Sequence, residues 1–494
     1  MGCGPVRVVR PAAPVPNAGS VTAFTPSDPV LHLLRRATFG PSREAESELR
    51  SLGAPAWLDR QLNPASIDDK ACDALITRYP LIKLDIAGVG AAVKAGSLKS
   101  GGWDVMQQLG TAAVARAVWS KRQLFELTAD FWSNHLNVMC PFGEVWDSRA
   151  AYDGLIRKHA LGRFADLLKA SMTAPAMLSY LDNRSSTKAK PNENYARELM
   201  ELHTVGLIYT EADVKDAARL LTGLTVDRTS RLYRFDPNQH ATGAVTILGW
   251  QHANATAGGG EAAALAFAEM LAMHPATAER IARKLCVRFV SDDPPPALVA
   301  SLAKVYLGQQ TAIAPVLKAL FTSAEFAASA GAKIRTPLED LAATVRVLGI
   351  KPEATGTEGV RALYNSLAAA GHAPLRWAPP NGYPDVAAAW AAPSGYLIRW
   401  NAHLNLAAGW YPKQLVYPAL GTLAGTPPAT HGAFVDALAT RLVGMPLQPA
   451  HTAALLSFLG KASTSPLKPT DPALTGRLPH LVALILDSPY FLAR

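Results

Sequence analysis

Residues 191–203 read PNENYARELMELH and place Glu193, Asn194, Arg197, Glu198, Glu201 and His203 within about three helical turns. Carboxylates at this density can exchange protons as general acids or bases, or ligate a divalent metal. An arginine among them can grip an anionic substrate. At about 100° per residue, Glu193, Asn194, Arg197, Glu198 and Glu201 share an arc of roughly 140°. Tyr195, Ala196, Leu199, Met200 and Leu202 fill the opposite side, with His203 among them. One reading is a wet helix face tied by Glu193–Arg197–Glu201 pairs at i, i+4, with His203 a core imidazole. The other is one wall of a functional site.

A second segment, FELTADFWSNHLNV at 125–138, carries the narrow polar stripe Glu126, Asp130, Ser133, Asn134 and Asn137 on an otherwise apolar helix. Such a helix is buried, and buried carboxylates need partners: Arg197, another polar helix or a metal ion. His135, like His203, falls among apolar residues. The two segments together predict a pocket lined by Glu126, Asp130, Asn194, Arg197, Glu198 and Glu201, with His135 or His240 at its rim. In it Glu198, Glu201, Arg197, His135 and His240 are the candidate catalytic groups. Glu126, Asp130 and Glu198 are candidate ligands for iron, manganese or zinc.

Other chemistries find less support. Neither Glu-x-x-His nor HExxH occurs in these segments, which disfavours a ferritin-like centre. There is no GxSxG elbow and no phosphate-binding P-loop, and the Gly88–Gly90 pair is followed by Val93 where a dinucleotide fingerprint needs glycine, so no nucleotide cofactor is expected. The four cysteines, Cys3, Cys72, Cys140 and Cys286, lie far apart without a CxxC pair, and Cys140 reads as inert rather than as a nucleophile. His372 sits in a proline- and tryptophan-rich setting.

The elements that must position these residues are mostly helices. The 494 residues are 49% hydrophobic and 18% charged, enough for a full core. Residues 1–26 read as a loose arm, 27–225 as a helical domain, 226–256 as a β-hairpin insertion with His240 near its tip, and 257–494 as a second helical domain. Asp28 or Ser27, Ser42 and Thr210 are natural helix caps, the last with Asp213 in a capping box. Helices are expected at 105–138, 147–159, 163–179, 193–205 and 211–221, then at 261–273, 275–290, 296–307, 311–329, 336–349 and 359–371. The glycine-rich 84–102 reads as a flexible loop, and 373–396 as an ordered loop that could also dock a partner. The net charge of +9 is mild for this length, and its densest cluster, Arg280, Arg283, Lys284 and Arg288, reads as a solvated face rather than a specific nucleic-acid patch. No apolar run is long enough to span a membrane and no signal peptide is evident, so a cytoplasmic location is the simplest, with export alongside a partner left open.

HLLRRATFGPS, FWSNHLNV, MLSYLDN, PNENYARELMELHTVGL, ADVKDAARLLTGLTV, FDPNQHATGAVTILG and RKLCVRFVSDDPP, in this order, resemble the large bacterial DUF1800 family, whose activity is not established. The resemblance carries the family's motif onto His135, Asp182, Glu193, Asn194, Arg197, Glu198, Glu201, Asp213, Arg219 and His240. It implies Asn194, Asp182 and Arg219 as substrate contacts and a sulfatase-like partner protein in a cell-envelope setting for some members. The chain departs at Ala241, where an acidic residue often follows the histidine, and the family accepts an aromatic at His203. The expectation is a mostly α-helical, metal-dependent enzyme acting on a small molecule, an oxidoreductase ahead of a hydrolase. The alternative is a non-catalytic scaffold working with a partner enzyme.

Overall fold

The computed structural model describes residues 21–426 and 428–494, so Cys3 and most of the expected N-terminal arm lie outside the described residues. The helices begin where side chains can satisfy the free N–H groups of a first turn. Asp28 accepts from the Val30 amide at 2.8 Å to open α1 (Pro29–Ala37), and Ser42 does the same for the next helix. Six further helices matter for the site: α2 (Gln123–His135), α3 (Glu193–Glu198), α4 (Glu211–Leu220), α5 (Pro275–Phe289), α6 (Pro337–Leu348) and α7 (Pro393–Ala408). Thr210 and Asp213 form the expected capping box on α4.

The mostly helical architecture matches the sequence reading, with local differences that have physical causes. The stretch 105–138 is two helices, Gly102–Trp119 and α2, because Ser120 turns the backbone extended between them. Pro175 starts a new helix inside 163–179, at the first helical position where proline is tolerated. The expected flexible loop at 84–102 instead contains the helix Ile86–Lys94: Asp85 caps it through the Gly88 amide, and Ile86 and Val89 bury. The strand runs expected to pair with each other each find a nearer neighbour. β1 (Leu224–Val226) pairs antiparallel with β2 (Tyr233–Phe235), and β3 (Val245–Ile247) with β4 (Trp250–His252).

α3 does not continue as a regular helix. It widens into a π-helical turn over Leu199–His203, closed by the Thr204 hydroxyl donating to the Leu199 carbonyl at 2.7 Å. Such turns insert a residue and re-aim those that follow. One hydrophobic core joins both halves of the chain, with Leu33, Trp132 and Leu199 buried in the same cluster as Leu285, Leu341 and Ile485. Among the described residues no helix is long and apolar enough to cross a membrane.

Candidate functional site

α5 starts on Pro275 and buries Ile281, Leu285, Cys286 and Phe289 on its apolar side. Its other side carries Arg280, Lys284 and Arg288 at i, i+4 spacing, where like charges repel. The expectation of a solvated face fails for two of them. Arg288 is buried, and Lys284 is turned toward α2. Both line a cavity of about 370 Å³ between α2, α5 and the loop 373–396.

The loop is held against α2 by polar contacts. The Asn137 amide donates to the carbonyls of Trp377 and Pro379 at 3.0 and 2.7 Å, and the Tyr383 amide donates to the Asn134 side chain at 3.3 Å. Gly382, at φ 72°, lies so close that a β-carbon would sit 2.1 Å from the Asn134 carbonyl oxygen. Only glycine accommodates both the left-handed backbone and that approach. Trp377, Tyr383 and His372 then supply aromatic walls, with His372 stacked on Trp390 at 4.5 Å. The loop is thus ordered, as expected, and forms one side of the cavity.

Lys284 Nζ lies 2.9 Å from His135 Nδ1, and His135 Nε2 lies 2.9 Å from the His203 carbonyl oxygen. A carbonyl only accepts, so Nε2 carries the hydrogen and Nδ1 presents its lone pair to the lysine. Burial, with Lys284 and the nearby His203 adding to it, pushes His135 well below the ordinary imidazole range, so it stays neutral. Burial, reinforced by Arg280, lowers Lys284 to about 8. Among the described residues Lys284 has no carboxylate within ion-pair distance. Arg288 is the opposite case, with Asp130, Glu339 and Asp385 around it at 3.4, 3.1 and 3.3 Å. Burial raises Asp130 to about 6, against the pull of Arg288. The cavity therefore holds two groups, Asp130 and Lys284, whose proton affinities are displaced toward neutrality from opposite sides.

The sequence-derived residues divide between this cavity and other places. Asp130 and His135 line it, joined by Asn134. Glu126 spends both oxygens on Arg157, at 2.7 Å each, in a different recess. Arg197 points outward to Glu211, with two contacts of 2.9 Å, and to Glu193. Glu201 accepts from the Tyr209 hydroxyl at 2.6 Å, and half-buried Glu198 is raised by burial and by Glu201. Exposed Asn194 ties its side chain to the Leu181 carbonyl. Asp182 holds a left-handed turn beside an arginine-rich cleft, and Arg219 is engaged by Asp216 and the carbonyls of the β3 approach.

His240 does not stand at a solvated tip. It is buried, with Nδ1 2.8 Å from the Thr222 carbonyl and Nε2 2.8 Å from the Asn254 side chain. His203 is buried with neither ring nitrogen hydrogen-bonded among the described residues, beside the Lys284–His135 pair. Of the three suggested metal ligands, Glu126 and Asp130 line one recess, which Glu198 does not. Among the described residues no group of three or more His, Cys, Asp or Glu side chains is arranged to hold a metal ion. Cys140 is buried, and burial pushes its thiol up to about 12, the opposite of an activated nucleophile. Lys284 was visible in the sequence only as part of a basic cluster, and Asp385 and Tyr383 only as members of a proline-rich loop. The one available signal was the cationic i, i+4 stripe on a helix with a fully apolar opposite face.

The family model described as a protein of unknown function (DUF1800) matches residues 32–493. No curated protein and no solved structure matches the chain. The chain belongs to the DUF1800 family.

Proposed function

We propose that this DUF1800 member is an enzyme that moves a proton on a small anionic substrate in the cavity between α2, α5 and the loop 373–396. The observation that carries this reading is the Lys284–His135 pair: a lysine in an aromatic-walled cavity whose polar partner is a neutral imidazole, with no carboxylate within ion-pair distance among the described residues and Asp385 acting on it only from farther off. With its affinity near 8, roughly a tenth of Lys284 is the free amine at pH 7, so it can both give and take a proton. His135 accepts the lysine's hydrogen bond and fixes where its nitrogen points, the Nε2–H to His203 locking the ring. Asp130 supplies the second titrating group on the facing helix. Arg283, exposed at the cavity and without an ion-pair partner among the described residues, is placed to meet a substrate carboxylate or phosphate.

Of the ligands suggested for a metal, Glu126 is committed to Arg157 and Asp130 to Arg288, which disfavours that reading. The scaffold reading has an observation in its favour. Arg288, Glu339, Arg494 and Asp385 form one largely buried ion cluster and Arg399, Asp340 and His403 another, of the kind that also occurs without catalysis.

The two are separated by incubating wild-type protein, Lys284→Met and Lys284→Arg with a fractionated bacterial metabolite pool and following consumption by mass spectrometry. The enzyme reading expects a small acidic metabolite to be consumed by wild type alone, with all three proteins folded. Consumption unchanged in Lys284→Met, or none by wild type across the pool, contradicts it.

A further inference from the structure

A second cavity, of about 270 Å³, lies between α1, the helix His431–Val443 and the segment leading into α6. Four arginines line it: Arg35, Arg50, Arg335 and Arg441. Its two carboxylates, Asp28 and Glu46, are both engaged by Arg50, at 2.5 and 2.8 Å. The other three arginines have no carboxylate within ion-pair distance among the described residues.

Their burial makes this unusual. Arg35 is 4% exposed and donates only to backbone carbonyls, those of Ala493 and Val443. Arg335 is 2% exposed, and its guanidinium lies over the Phe491 ring at 4.5 Å. It makes no side-chain hydrogen bond among the described residues, and its Nη1 is fully enclosed and unpartnered. Arg441 donates one bond to the Val347 carbonyl and leaves its Nε enclosed without a partner. Buried cations are normally paired, and a buried N–H normally finds an acceptor. Here two guanidiniums carry free buried donors at one cavity, and Arg335 repels Arg35 strongly enough to add to the lowering of its proton affinity by burial. The nearest acids act on Arg335 only from beyond ion-pair distance, Asp340 being held by Arg399 and His403 and Glu339 by Arg288 and Arg494. A tetrahedral oxyanion supplies what is missing: negative charge and several acceptor oxygens matched to the planar fork of a guanidinium.

We propose that the cavity bounded by Arg35, Arg335 and Arg441 is a binding site for a phosphate or sulfate group, free or carried on a small metabolite. The site is separate from the Lys284 cavity and does not depend on the reading given to it. Arg335 and Arg441 are the specific contacts, and Arg35 contributes charge while stapling the chain's last residues to α1.

Isothermal titration of the full chain at fixed ionic strength tests this, with inorganic phosphate, sulfate, glycerol 3-phosphate and, as the planar comparison, acetate replacing chloride. Saturable binding of phosphate or sulfate is expected, with acetate weaker by at least tenfold. Arg335→Gln and Arg441→Gln should each lose at least tenfold, while Arg184→Gln, in a different cleft, keeps wild-type affinity. Tighter binding of glycerol 3-phosphate assigns the site to a phosphorylated metabolite, and equal or weaker binding assigns it to the free ion. If Arg335→Gln does not fold, Arg441→Gln, at a less deeply buried position, alone decides. No saturable binding beyond chloride, or losses equal in Arg184→Gln, would overturn the proposal.

Discussion

Replacing Lys284 with methionine should stabilise the protein at neutral pH, and the gain should disappear in alkali. Methionine keeps the length and apolar stem of lysine but carries no charge. Lowering a lysine from an ordinary 10.5 to about 8 corresponds to about 3 kcal/mol of unfavourable burial while the amine is charged. The variant also loses the hydrogen bond to His135 Nδ1 and leaves that buried nitrogen without a donor, a cost of about 1–2 kcal/mol. The net expectation at pH 7 is a gain of about 1–2 kcal/mol, an upper figure because Lys284 keeps some solvent contact. The sign follows from proton counting. Between pH 8 and 10.5 the unfolded chain holds the lysine proton that the folded protein has released, so wild-type stability rises with pH there relative to the variant. By pH 10.5 only the lost hydrogen bond remains, and the variant should be the less stable. Urea unfolding followed by tryptophan fluorescence at pH 7 and 10.5 measures both differences. A Lys284→Met difference that is the same at the two pH values, or destabilising at pH 7, would refute the claim that an unneutralised charge is buried there.

Three further outcomes follow from other contacts. Glu126→Gln strands the Arg157 guanidinium and should cost about 3 kcal/mol by chemical denaturation. Gly382→Ala forces a β-carbon into the Asn134 carbonyl and should lift the 373–396 loop from α2, seen as faster hydrogen exchange over that loop and altered Trp377 emission. Burial alone would lower His403, but Asp340 at 2.9 Å and Asp487 at 2.7 Å hold it up to about 9. A raised value contributes stability that is full below pH 6.5 and lost as pH rises through 9, so wild type should weaken across that window in pH-dependent thermal melts while His403→Gln stays flat.

What could be read from the sequence followed how local each signal was. Asp28, Ser42 and the Thr210–Asp213 box announce their helices because capping acts over three residues. The polar stripe of α2 and its burial were also legible, since both follow from helical periodicity. The partners of that stripe were not. Arg157, Arg288 and the backbone of residues 377–383 come from three separate parts of the chain, and nothing in residues 125–138 selects them over Arg197. Spacing at 100° per residue also fails beyond Leu199, where the π-helical turn re-aims Glu201 and His203. Arg280, Lys284 and Arg288 look identical on paper whether the helix face meets water or a cavity wall. Only the folded position of the 373–396 loop distinguishes the two.

The central claim is that Lys284 is a poised amine and not a solvated one. Competitive labelling with acetic anhydride across pH 6–11, read at each lysine peptide by mass spectrometry, measures this directly. The reactivity of Lys284 should rise to half its maximum near pH 8, well below the range of an ordinary lysine side chain. A Lys284 that reaches half its maximum only near the ordinary lysine value of about 10.5 would contradict the account.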